Sequence, residues 1–156
     1  DEDIIKIHSF ISNNFWKHDV EDNVYTIFKS KKNVICMLNS SATQWKHAFN
    51  LEITMEKGSL TLSGILSGSK SYGNEKLIII KTNHKKDSGN PREYIKKYNS
   101  DKSWEREVNE FVNSILKNKQ IVYGSYVDAF KSLSLVQRIY YSDVSWRKKF
   151  KILRPN

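Results

Sequence analysis

The sequence predicts an α+β fold, an open and largely antiparallel β-sheet with two C-terminal helices on one face. Two observations carry this. Apolar residues recur with period two over the first two thirds of the chain and with a period near 3.6 over the last third. The strand-like runs also come first, joined by turn-forming residues, so strands and helices are segregated along the chain instead of alternating.

The first run places Ile5, Ile7, Ser9 and Ile11 on one side of a strand and Ile4, Lys6, His8 and Phe10 on the other. Val24 to Phe28 and Val34 to Leu38 flank Lys31, Lys32 and Asn33, a hairpin turn. Ala48 to Thr54 and Leu60 to Ile65 flank Glu56 to Ser59, where Gly58 can take a positive φ without steric cost. Lys76 to Lys81 is a further strand rich in β-branched residues. Residues 91–98 form an edge strand, because Pro91 cannot donate to a ladder. Residues 83–90, rich in Asn, Lys, Ser and Gly, read as a loop.

The helical third opens at Asp101 or Ser103, either of which can cap a helix, with Glu105 and Glu107 favourable to its dipole. Trp104, Val108, Phe111, Val112, Ile115 and Leu116 then line one stripe, which is expected to dock on the sheet. Ser125 opens a second helix whose stripe is Ala129, Phe130, Leu133, Val136, Ile139 and Tyr140. Two helices cover one face of such a sheet, which leaves the other to a partner.

At 156 residues the chain is about one domain, expected over residues 1–142 with a basic tail at 143–156. No apolar run approaches the ~20 residues of a bilayer span, and a cytoplasmic protein with no membrane partner is expected. The single cysteine, Cys36, lies in an apolar run and is expected to be buried. The net charge of +9 raises nucleic-acid binding, but the lysines are scattered and no zinc-finger, helix-turn-helix or RNP-like pattern occurs. Only the tail from Trp146 to Arg154 interleaves basic and aromatic residues as single-strand binders do. The alternative there is a tail that packs on its own or a partner domain, and no nucleic-acid partner is expected.

No complete catalytic constellation is present in the sequence. His8, His18, His47 and His84 are isolated and lack metal-ligand spacing, so neither catalytic nor metal-binding residues are assigned. Asp19 and Asp22 read as turn residues more readily than as an acid/base pair. Gly64, Gly68 and Gly73 do not form a dinucleotide-binding turn and precede a strand, not a helix. What the sequence does offer is a dense group of aromatic and hydrogen-bonding side chains at Thr43, Gln44, Trp45, Lys46 and His47. A strand through them would put Thr43, Trp45 and His47 on one face and Gln44 and Lys46 on the other. Such a group can hold a polyhydroxylated ligand, its ring face on an aromatic and its hydroxyls on polar groups. Trp45 can equally be a core or interface anchor.

Several segments come in the order found in one known family: Phe15-Trp16 with Val20-Glu-Asp-Asn23, Ser40-Ser-Ala-Thr-Gln-Trp45, Glu56-Lys-Gly58, Ser71-Tyr-Gly73, and Trp104 through Glu110-Phe-Val112. In these the chain resembles the C-terminal domain of the Gfo/Idh/MocA family of NAD(P)-dependent oxidoreductases, whose fold is like the glyceraldehyde-3-phosphate dehydrogenase C-terminal domain. The resemblance implies a substrate-binding and oligomerisation domain of a sugar, polyol or nucleotide-sugar dehydrogenase. It adds Trp16 and Tyr72 to the substrate-binding residues, and it implies a homo-oligomer formed through the open sheet face. It also implies that NAD or NADP serves the full-length enzyme, bound by an N-terminal Rossmann domain that this chain lacks. The family's Glu-Lys-Pro lysine and its helical Asp and His have no counterpart here. The fragment is therefore expected to bind no cofactor and to be inactive alone. A stand-alone interaction module is the alternative.

Overall fold

A computed structural model describes residues 3–69, 71–82, 89–122 and 124–155. The chain divides into two compact units, Asp1–Gln44 with Gln120–Asn156, and Trp45–Lys119. The α+β class, the antiparallel strands and the C-terminal helices are as the sequence predicts, but the strands lie in two sheets instead of one.

In the first unit, β1 (Ile4–Ser12), β2 (Asn23–Ser30) and β3 (Ile35–Ser41) form an antiparallel meander in that order. The β2–β3 turn falls at the expected place, with Asn33 at φ 65 and its amide donating to the Ser30 carbonyl at 3.0 Å. On β2 the period-two pattern is clean: Val24, Thr26, Phe28 and Ser30 are buried, while Tyr25 and Ile27 face outward. β1 departs from strict alternation. A register shift between Ile4 and Lys6 moves Ile4 to the side of Ile7 and Ile11, and Ile5 is left exposed.

Two helices complete this unit, α2 (Tyr126–Ser142) and α3 (Val144–Lys149), while α1 (Ser103–Leu116) belongs to the other. Ser125 caps α2 in a capping box, its hydroxyl accepting from the Asp128 amide as the Asp128 carboxylate accepts from the Ser125 amide. α2 packs on β1, and Ile139 joins Val24 and Phe28 in a core flanked by Ile4, Ile7, Ile11 and Leu135. Burying each such side chain stabilises by about 1.5–3 kcal/mol. Ser9 Oγ fixes the approach by donating to the Ile139 carbonyl at 2.6 Å. Asp143 then joins three elements, its carboxylate accepting from the Ile11 amide and the Trp146 amide, both at 2.9 Å. Trp146 is buried, 4.3 Å between ring centroids from Phe150, so the tail's central aromatic is withdrawn from solvent.

Cys36 is exposed, contrary to expectation. Its cross-strand partner Phe28 lies on the core side, but α2 lies on β1, at the far edge of the sheet from Cys36 on β3.

In the second unit, β4 (Asn50–Met55), β5 (Gly58–Ser63), β6 (Lys76–Lys81) and β7 (Glu93–Lys97) form a second antiparallel meander, with β7 as the expected edge strand. Gly58 is required at the β4–β5 turn. Its φ is 147, and a Cβ there would come within 2.0 Å of the Ile80 carbonyl oxygen. α1 carries the expected stripe, but neither Asp101 nor Ser103 is its N-cap: Lys102 holds that position without a side-chain cap, Asp101 accepts from the Ser103 amide at 2.8 Å, and the helix buries no residue. The expected docking of α1 on a sheet is therefore not found, and Trp104 and Leu116 remain 76% and 77% exposed. Among the described residues of this unit no hydrophobic side chain is buried, although Leu51, Ile53, Leu60, Leu62, Leu77 and Ile79 share one sheet face through their register. Most of the loop read at residues 83–90 lies outside the described residues. No described helix is long and apolar enough to cross a membrane.

Candidate functional site

The chain between β3 and β4 is irregular. Thr43, Trp45 and His47 therefore do not alternate on a strand as the sequence suggested. The cause is an anchor 20 residues upstream. The Asn23 side-chain oxygen accepts from Ser41 Oγ at 2.6 Å and from Thr43 Oγ1 at 3.1 Å, while the Ala42 amide donates to the Asp22 carbonyl at 2.8 Å. These bonds draw the chain out of the ladder before β4 begins.

Asp22 organises the same end of the first unit. One carboxylate oxygen accepts from the Phe15 and Trp16 amides at 2.8 and 3.3 Å, and the other from Ser12 Oγ at 3.1 Å and Asn23 Nδ2 at 2.9 Å. Desolvation raises its pKa, but the Phe15, Asn23, Ser12 and Trp16 hydrogen bonds together outweigh it and hold the carboxyl below its ordinary range. The β1–β2 loop is thereby fixed, with Phe15 and Trp16 stacked edge to face at 4.9 Å. The Trp16 indole donates to the Ala42 carbonyl at 3.3 Å. Trp16 is thus tied to Ala42, the residue before Thr43, and Gln44, exposed, follows. Asp22 is 3% exposed and is a loop-organising carboxylate, not part of a solvated turn. The signal for it in the sequence is the hydroxyl of Ser12 and the amide of Asn23 on paired strand ends.

In the second unit His47 and Tyr72 come together, their ring centroids 5.1 Å apart. His47 Nδ1 is 2.8 Å from Ser71 Oγ, and a hydroxyl chain continues from Ser71 to Ser69 at 2.8 Å and to Ser67 at 3.1 Å. Of these serines the sequence singles out only Ser71, in Ser71-Tyr-Gly73, and not as a site residue, although the alternate serines of residues 67–71 are visible there. Trp45 stands fully in solvent at 101% exposure, and Lys46 is exposed beside it. A flat indole and a row of hydroxyls with an imidazole can accept a sugar ring and its hydroxyl groups.

Gly64, Gly68 and Gly73 connect β5 to β6 and open no helix. The N-terminus of α2 already holds the Asp128 carboxylate where a phosphate would sit.

The fold is an α+β arrangement of antiparallel sheets and helices. A solved structure similar to it is UDP-N-acetylglucosamine 3-dehydrogenase GnnA from Acidithiobacillus ferrooxidans, at a TM-score of 0.55 and 10% identity. The match covers 77% of this chain and 36% of that one, so the chain spans little more than a third of the dehydrogenase's length. At this identity the likeness is one of fold. No protein-family model matches the sequence, and no curated protein matches it.

Proposed function

We propose that the chain is the substrate-binding and oligomerisation domain of an NAD(P)-dependent dehydrogenase acting on a sugar or polyol, free or nucleotide-linked. The observation that carries the reading is the shared fold with a part of a nucleotide-sugar dehydrogenase. The exposed Trp45 and the hydroxyl chain ending on His47 support it, since they suit a polyhydroxylated ligand. In this reading the dinucleotide and the proton-abstracting groups come from a separate domain, and this chain binds and orients the sugar. Saturation-transfer NMR with a panel of free sugars, polyols and nucleotide sugars tests it. Transfer should reach at least one ligand and fall in Trp45→Ala and His47→Ala. No transfer to any member of the panel would contradict it.

A second reading, a stand-alone interaction module, draws support from the uncovered stripe of α1. It requires a macromolecular partner and no sugar, which the same NMR panel separates.

A further inference from the structure

A hollow of about 190 Å³ opens on the first unit, lined by Ile7 of β1, Arg138 and Tyr141 of α2, and Arg154 and Pro155 beyond α3. Two arginines line this recess, and among the described residues no Asp or Glu does. Among the described residues neither arginine forms an ion pair. Two of its walls, Arg138 and Tyr141, are held in place. Arg138 Nη2 donates to the Ile4 carbonyl, beside the register shift of β1, which holds the guanidinium through one of its five donors. Tyr141 is held by Arg147, whose guanidinium carbon lies 4.3 Å from the ring centroid and whose Nη1 donates to the Tyr141 carbonyl at 3.3 Å.

We propose that this hollow binds a phosphate group, either free or carried on a small ester. A guanidinium presents its donors as a planar fork that matches two oxygens of a tetrahedral oxyanion. Two uncompensated guanidiniums favour a dianion over a carboxylate. The remaining walls, Ile7, Pro155 and the Tyr141 ring, are apolar and suit the carbon part of an ester.

The test is a titration of the full chain, at fixed ionic strength, with inorganic phosphate, phenyl phosphate and benzoate, followed by amide NMR shifts. Phosphate should bind saturably and shift the amides of Ile7, Tyr141 and Arg154. Tighter binding of phenyl phosphate would identify an ester as the ligand, and equal binding would identify free phosphate. Arg154→Gln should weaken binding about tenfold or more. Arg92→Gln, in the second unit, should leave it unchanged, and both variants should keep the parent's circular dichroism. The proposal is overturned by absence of saturable binding, by benzoate binding as tightly as phenyl phosphate, or by equal weakening in the two variants.

Discussion

Asp22 shows how a single carboxylate can set the geometry of a loop. Its two oxygens hold the Phe15 and Trp16 amides and the side chains of Ser12 and Asn23, and Asn23 in turn holds Thr43. Because these bonds keep its pKa below the ordinary value, the stability it contributes is fully present above about pH 4 and is lost as pH falls through the folded-state value. Asp22→Asn should therefore lower the melting temperature at pH 7, and the deficit should shrink as pH falls below about 4. A deficit that stays constant with pH would show that the charge plays no part. Cys36 offers a second measurement at this scale. Exposed on β3, it should react with one equivalent of a thiol reagent in the folded protein, whereas reaction only after denaturant is added would place it in a core.

The helices α1 and α2 have similar apolar stripes in sequence and opposite environments. Ile139 of α2 is buried among β1 and β2 residues, so Ile139→Ala should cost about 2–5 kcal/mol in denaturant unfolding. Phe111 of α1 is exposed, so Phe111→Ala should change stability by less than about 0.5 kcal/mol. A large loss at Phe111 would show that α1 is covered in solution. Periodicity reveals which face of a helix is apolar but not what covers it, which is why the docking of α1 was misread. Features fixed by near neighbours were legible: the helix start at Ser125, the turn at Asn33, Gly58, and the edge strand after Pro91. Features fixed from a distance were not. The irregular segment after Ser41 depends on Asn23 across the sheet, and the exposure of Cys36 depends on where α2 lies. Of the seven site residues, the structure pairs His47 with Tyr72 and ties Trp16 to Ala42, beside Thr43, while the serine chain beside His47 depends on a loop fold that periodicity does not reveal.

At the scale of the whole molecule, much apolar surface lacks a partner. On the first sheet the face opposite α2 carries Phe10, Tyr25, Ile27, Ile35 and Met37, with Phe10 and Met37 78% and 80% exposed. Under the proposed function this is the oligomer face. Sedimentation should show association of the parent chain that Met37→Glu abolishes, and a parent that stays monomeric at high concentration would remove that part of the account. The most direct test of the central claim is a parallel calorimetric titration of the chain with a nucleotide sugar and with NADH and NADPH. Saturable heat from the sugar ligand, reduced in Trp45→Ala, with none from either dinucleotide, is the predicted result. Saturable binding of a dinucleotide, or no binding of any sugar ligand, would contradict it.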